Sequence, residues 1–128
     1  TPFDNTTFRI LKKALPGPFT FILKANSQVP KLFKNNKKTV GIRVPDNAIA
    51  QALVQELGRP ILSTSLKIGD NFMEYLTDPT EIHDEYEKLV DLVIDGGLGN
   101  LKASTVVDFT SGYPEILRQG AGDIEALL

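Results

Sequence analysis

Residues 16–23 read PGPFTFIL and combine a chain reversal with the start of a strand. Two prolines that flank a glycine cannot continue a helix, so a helix that reaches them must end there. From Phe19 to Lys24 the residues alternate and favour β-structure, which is typical of a half-buried strand. The stretch therefore predicts a junction between a helix and a strand, as expected of a sheet with helices packed on it.

The flanking sequence extends this alternation of helices and strands. Upstream, Phe8, Leu11 and Leu15 recur at helical spacing, which predicts a helix over residues 4–15. Because only a turn around Gly112 separates the last two predicted strands, they must pair antiparallel. We therefore expect an α/β (α+β) fold with a mixed parallel and antiparallel sheet. Downstream, the patterns predict helices over 47–57 and 79–88, strands over 39–44, 61–65, 89–94, 104–109 and 116–118, and a short turn at the terminal leucines.

Composition excludes several classes of site and of protein. The 128 residues include no cysteine, which rules out disulfides, thiolate metal sites and thiol catalysis. The sole histidine, His83, lies in a predicted acidic helix, so neither a serine–histidine triad nor a histidine metal site is predicted. No apolar run approaches the roughly 20 residues of a membrane helix, and no export leader is evident. We expect a soluble, cytoplasmic domain without a bound metal.

The net charge of −2 conceals two oppositely charged halves. Residues 1–69 carry eleven Lys and Arg against three Asp and Glu, whereas residues 70–128 carry three against thirteen. Such asymmetry indicates a face that binds an anion, or two halves whose charges pair with each other. The residues from 24 to 43 contain no acid at all, which is typical either of a solvated face or of contacts to nucleic-acid phosphates. The RNA-binding candidates in this stretch are Lys24, Lys31, Lys34, Lys37 and Lys38.

Hydroxyl and guanidinium groups gather at the ends of the predicted strands. In α/β proteins, ligands bind at the ends of the strands of a sheet. Hydroxyl and guanidinium groups suit phosphate or carboxylate oxygens. Each residue could equally cap a strand end or pair with a neighbour, so the residues alone leave both interpretations open. The members of the set are Thr20, Arg43, Ser63, Thr64, Ser65, Ser104, Thr105 and Arg118.

Five short motifs, in this order, resemble those of the YrdC/YciO family. They are PGPFTFIL (16–23), IRVP (42–45), PILSTS (60–65), STVVD (104–108) and LRQG (117–120). Each is weak alone, and the order of all five makes the match specific. Residues 41–66 look closest to the YciO branch.

The resemblance implies a YrdC/RibB-like twisted sheet with packed helices and a concave basic surface. The family includes threonylcarbamoyl-AMP synthases, which join threonine, bicarbonate and ATP with release of pyrophosphate and serve modification of adenosine 37 in tRNA. Mg²⁺ would accompany ATP. By position, Arg43, Ser63, Ser65, Ser104 and Arg118 would line the nucleotide and acyl-adenylate pocket, with Thr20 beside it. The family is also described as binding double-stranded RNA.

The chain departs from the synthase pattern in two places. Synthases continue the Thr-Ser pair as Ala-Asn, whereas here Leu66 and Lys67 follow, so a cation replaces an amide. The sequence also begins after the position of the family's N-terminal part and its Lys-x-Arg motif, as we expect of a piece of a longer protein. We therefore expect residues 1–128 to be a single YrdC-like domain without its N-terminal segment, and exposed sheet edges would then favour a homodimer.

Three functions compete at this point. The first is a nucleotide-binding relative of threonylcarbamoyl-AMP synthase, with nucleotidyltransferase activity in doubt for this branch. The second is a module, of the translation-factor kind, that binds double-stranded RNA or tRNA through its lysines without catalysis. The third is an α/β interaction domain in which the polar residues are structural.

Overall fold

A computed structural model of the chain describes residues 4–31, 36–66 and 76–128. It contains two compact units, one formed by Thr1–Pro60 with Ala103–Leu128 and the other by Ile61–Lys102. The helices in the described ranges are α1 (Asn5–Ala14), α2 (Ala48–Leu57) and α3 (Pro79–Tyr86), with a 3₁₀ turn at Glu125–Leu127. The strands are β1 (Phe19–Lys24), β2 (Thr39–Ile42), β3 (Thr105–Asp108) and β4 (Glu115–Arg118).

The four strands form one sheet in the order β2-β1-β3-β4. The central strands β1 and β3 run parallel, with Phe19 beside Thr105. The outer strands β2 and β4 each run antiparallel to their neighbour. Gly112, at a φ of 94°, lies in the tight turn between β3 and β4. The predicted mixed sheet and its antiparallel last pair are confirmed.

One face of the sheet carries the hydrophobic core of the first unit. Phe21 and Val107 are 0% exposed and lie beside each other in the two central strands. The Phe21 ring packs near Phe109, with centroids 5.6 Å apart, and stacks on Phe19 at 5.5 Å. Helix α1 contributes its buried stripe, and Ile124 adds to the same cluster. Because strand side chains alternate, the opposite face displays Thr20, Ile22, Val106 and Asp108.

The turn at residues 15–18 brings α1 onto this core. Gly17 is buried, and a side chain there would overlap the carbonyl group of Ala14. The Leu15–Pro16 peptide bond is cis. Asp4 caps the start of α1 by accepting a 2.8 Å hydrogen bond from the Thr7 N–H. The helix-to-strand junction predicted from residues 16–24 is therefore confirmed, and its glycine is required by close approach of the backbone.

Helix α2 has the ends that its sequence predicts and a different environment. The Asn47 side chain accepts from the Ala50 N–H at 3.0 Å, and Gly58 ends the helix at a φ of 75°. No residue of α2 is buried, and Leu53 is 46% exposed. The apolar stripe correctly predicts that this segment is helical. Its side chains do not belong to the core cluster of the described residues.

The second unit corrects two strand predictions. Residues 61–65 and 89–94 form no strand, and Leu62 and Leu89 are 60% and 75% exposed. An apolar run indicates that a segment could be buried, but a strand also needs a hydrogen-bonded neighbour. Outside α3 and the residues that follow it, the Leu76 N–H donates to the Leu66 carbonyl and the Gly99 N–H to the Thr77 carbonyl. Neither bond extends into a ladder among residues 61–66 and 76–102. Helix α3 begins at Pro79 as predicted and ends at Tyr86, two residues early.

A candidate anion site at one end of the sheet

Four of the six predicted site residues lie at the same end of the sheet. β1 and β3 begin there and β2 and β4 finish there, because the outer strands run opposite to the central pair. Thr20 is the second residue of β1, and Ser104 directly precedes β3. Arg118 is the last residue of β4, and Arg43 directly follows β2. Ligand sites of parallel sheets usually lie at the carboxyl ends of the strands, whereas this cluster lies at the amino ends of the parallel pair.

Thr20, Ser104 and Arg118 form one hydrogen-bonded group, here called the hydroxyl–arginine cluster. The Thr20 and Ser104 hydroxyl oxygens are 2.7 Å apart. Arg118 donates from Nε and Nη2 to the Ser104 carbonyl oxygen, at 3.0 and 2.9 Å. Its Nη2 also donates to the Ser104 hydroxyl at 3.1 Å. The side chains of Thr20 in β1 and Arg118 in β4 thus converge on Ser104, the residue before β3.

The cluster keeps hydrogen-bonding capacity for a ligand. Three of the five guanidinium N–H donors of Arg118 are used on Ser104. The two donors on Nη1 have no hydrogen-bond partner among residues 4–31, 36–66 and 76–128, and the side chain is exposed. A planar guanidinium held by one edge presents its other donors in a fixed direction, which suits carboxylate or phosphate oxygens. The arrangement can therefore bind and orient an anion.

Arg43 lies beside this cluster in the sheet order. Ile42 pairs with Phe21 in the ladder, and the Val44 carbonyl accepts a 2.9 Å bond from the Gly17 N–H. These contacts hold the backbone of Arg43 against the start of β1 and the turn before it. The Arg43 side chain is exposed. A second cation is thereby placed at the same sheet end as Arg118.

Ser63 and Ser65 belong to the second unit. Both are exposed and lie in the irregular segment that replaces the predicted strand over 61–65. The residues described in the second unit show no side-chain hydrogen bond for either hydroxyl. Lys67, the position at which this chain differs from the synthases, lies outside the described residues. The assignment of these two serines to the nucleotide pocket stays a prediction.

Lys24, Lys37 and Lys38, three of the candidate RNA-binding lysines, lie at the other end of the sheet. Lys24 ends β1 opposite Thr39, and Lys38 accepts a backbone bond from Ala25 at 2.9 Å. Lys24 lies four positions after Thr20, which is about 13 Å along β1. Lys24, Lys31, Lys37 and Lys38 are exposed, and Lys34 lies outside the described residues. The surface formed by Lys24, Lys37 and Lys38 is therefore separate from the hydroxyl–arginine cluster.

The sequence places Thr105 among the strand-end hydroxyls but does not indicate its role in the site. It lies next to Ser104 but points to the core face, where it is 0% exposed and bonded to the loop after Arg118. The STVVD motif contains it, and the glycines at 120 and 122 mark the close approach that it needs. The long-range pairing of residue 105 with residues 120–122 is not encoded in any local spacing.

The donor set of the described residues does not resemble a metal centre. No group of three or more His, Cys, Asp and Glu side chains in these ranges could hold a metal ion. Over the same ranges, no helix combines the length and the apolar character that crossing a bilayer requires.

Comparison with known proteins identifies the family. The Sua5/YciO/YrdC model, described as "Telomere recombination", matches residues 1–120. The chain belongs to this family. It is 49% identical over 127 residues to the uncharacterized protein YciO of Escherichia coli (strain K12), covering 98% of this chain and 61% of YciO. It is also 30% identical over 122 residues to the threonylcarbamoyl-AMP synthase of Pyrococcus abyssi, covering 92% of this chain and 34% of the synthase.

Solved structures agree with this membership. The crystal structure of E. coli YciO superposes with a TM-score of 0.90 at 46% identity, over 98% of this chain and 61% of that one. P. abyssi Sua5 complexed with L-threonine superposes with a TM-score of 0.86 at 27% identity, over 99% of this chain and 37% of that one. These likenesses confirm the predicted family and fold. The chain spans 61% of the length of YciO.

Proposed function

We propose that the sheet end carrying the hydroxyl–arginine cluster binds the carboxylate or phosphate oxygens of an amino acid and a nucleotide. The substrates would be L-threonine and ATP, with bicarbonate as the third reactant of a threonylcarbamoyl-AMP synthase-like reaction. One observation carries the proposal. Arg118 donates from Nε and Nη2 to the Ser104 carbonyl oxygen, which leaves its two Nη1 donors available to a ligand. A relative bound to L-threonine and a synthase at 30% identity support this choice of ligands.

The residues of the cluster would act by binding and charge stabilisation. A guanidinium beside two hydroxyls can hold anionic oxygens and stabilise charge that develops on them, without a nucleophile from the protein. One of the two hydroxyls donates the hydrogen bond that joins Thr20 to Ser104, and the other keeps its proton available for a ligand. Mg²⁺ would be bound through the ATP phosphates, since the described residues offer no carboxylate cluster for it.

Pyrophosphate release tests the proposal in the full-length protein. ATP, L-threonine and bicarbonate together should release pyrophosphate, and omission of threonine should abolish the release. Arg118→Ala should reduce it by at least tenfold, whereas Arg9→Ala, which removes an exposed arginine from α1, should leave it unchanged. A folded protein that neither releases pyrophosphate nor binds ATP or threonine would refute the proposal.

Binding of double-stranded RNA is a second candidate, and the grouping of Lys24, Lys37 and Lys38 at one sheet end supports it. Phosphate contacts predict an association constant that falls steeply with salt. Lys37→Glu with Lys38→Glu should weaken binding regardless of RNA sequence. The matched control is Lys12→Glu with Lys13→Glu on α1, which makes the same charge change elsewhere. Equal effects of both pairs, or affinity that ignores salt, would contradict this function.

A further inference from the structure

Thr105 carries a buried hydroxyl whose hydrogen-bonding capacity is completely used. It is 0% exposed, at the start of β3, and its neighbours on that face include Phe19 and Phe21. The hydroxyl donates to the Gly122 carbonyl at 2.7 Å and accepts from the Gly120 and Gly122 N–H groups, each at 2.9 Å. A threonine hydroxyl has one donor and two acceptor sites, so every site is occupied. Valine has the same shape and would suit this apolar face. The hydroxyl therefore distinguishes Thr105 from valine by its three hydrogen bonds to Gly120 and Gly122.

These bonds hold the loop that follows Arg118 against the segment that contains Ser104. The Ala121 N–H donates to the Ala103 carbonyl at 2.9 Å, beside the bonds from Thr105. A side chain at Gly120 would come within 2.6 Å of the Ser104 backbone, and one at Gly122 within 2.6 Å of the Phe19 ring. The loop therefore has no room to shift toward β3. Its three hydrogen bonds to the buried Thr105 hydroxyl resist a shift away from β3.

Arg118 depends on this loop because its own strand provides little support. All four residues of β4 are exposed, and β4 lies at the edge of the sheet. The pairing of β3 with β4 is irregular between Val106 and Val107, next to the position where Val106 faces Arg118. The chain on the other side of Arg118 enters the loop bonded to Thr105. Because this loop continues directly from Arg118, the bonds that hold the loop also hold the Arg118 backbone. They thereby position the guanidinium against Ser104.

We propose that Thr105 is a positioning residue for the hydroxyl–arginine cluster: from the core face, it sets the Arg118 backbone so that the guanidinium bonds Ser104 on the open face. Its effect on ligand binding rests on the proposed function. Its effect on the bond between Arg118 and Ser104 does not, and can be measured without a ligand.

The test compares Thr105→Val, which removes the hydroxyl, with Thr105→Ser, which keeps it, in the full-length protein well below the unfolding midpoint of each variant. Solvent exchange of the Arg118 Nε–H, measured by NMR, should be about tenfold faster in Thr105→Val and within about twofold of wild type in Thr105→Ser. The dissociation constants of ATP and L-threonine, measured separately, should follow the same pattern. Leu23→Ala, a core change at the other end of β1, should lower stability and leave both readouts unchanged.

Several results would overturn the proposal. They are an unchanged Nε–H exchange in Thr105→Val, an equal change in Leu23→Ala, and no rescue by Thr105→Ser. If Thr105→Val does not fold, native-state exchange of the wild type decides: the Arg118 Nε–H and the Gly120 and Gly122 N–H groups should open together with one denaturant dependence, and independent opening of Arg118 would overturn it. Exchange that responds as expected, in a protein that binds neither ATP nor threonine, would support the positioning role and refute the proposed function.

Discussion

Gly120→Ala should destabilise the protein, because the added methyl group has no space to occupy. The new Cβ would lie 2.6 Å from both the carbonyl carbon and the carbonyl oxygen of Ser104, and closer still to the Ala103 carbonyl oxygen. All of these are backbone atoms, and the loop is held against them by the 2.9 Å bond from Gly120 to Thr105. Relief therefore requires movement of the backbone that carries Ser104.

The expected magnitude follows from two opposing terms. Overpacking a close contact costs roughly 1–3 kcal/mol, and clashes with backbone belong at the upper end of that range. Replacing glycine with alanine recovers about 0.4–1 kcal/mol by restricting the unfolded chain. The free energy of unfolding of Gly120→Ala should thus fall by about 2 kcal/mol. With a urea m-value of about 2 kcal/mol/M, the midpoint of unfolding falls by about 1 M.

Gly41→Ala is the matched control in urea unfolding followed by circular dichroism. Its Cβ would meet only the Thr20 side chain, at an ordinary contact distance of 3.7 Å. We expect a midpoint equal to or slightly above that of wild type. A Gly120→Ala midpoint equal to wild type, or a Gly41→Ala midpoint reduced as much as that of Gly120→Ala, would refute the close packing of the loop against Ser104.

Three further predictions concern the core, the cluster and the first helix. Phe21→Ala should lower the free energy of unfolding by about 3–5 kcal/mol, since the ring is fully buried, and a urea midpoint near that of wild type would contradict this. Thr20→Val and Ser104→Ala should be non-additive by about 0.5–1.5 kcal/mol in a double-mutant cycle, and additivity would show that their hydroxyls do not bond in solution. The hydrogen bond from the Thr7 backbone lowers the pKa of Asp4 from its usual 3.8. The ionised Asp4 carboxylate should therefore stabilise the fold fully above pH 3.8, and this stabilisation should be lost as the pH falls through the lowered pKa. The difference in urea midpoint between wild type and Asp4→Ala should therefore shrink in acid, and a difference independent of pH would contradict the cap.

Local chemistry made much of the fold predictable from sequence. The caps at Asp4 and Asn47 and the glycine at 58 act within a few residues of themselves, so their effects do not depend on the rest of the chain. The alternation in β1 and β3 reports directly which side chains enter the core. Polar residues at strand ends indicated Thr20, Ser104 and Arg118, because strands that share a sheet also share its ends.

Features that depend on distant partners could not be predicted in the same way. The apolar runs at 61–65 and 89–94 have strand-like composition, but composition does not supply the neighbour that a ladder requires. The strand order, and with it the meeting of Thr20 with Ser104, follows from pairing across 84 positions of sequence. The role of Thr105 was not predicted because a buried threonine in an apolar strand resembles valine until its bonds to Gly120 and Gly122 are seen.

A titration of ¹⁵N-labelled full-length protein with L-threonine and then ATP, followed by NMR, tests the proposed binding site most directly. Anion binding at the hydroxyl–arginine cluster predicts that the largest shifts fall on Ser104, Gly120 and the backbone N–H and side-chain Nε–H of Arg118, and that Arg118→Ala abolishes them. A folded protein whose spectrum does not change, or whose largest shifts fall on Lys24 and Lys38 at the opposite end of the sheet, would contradict it.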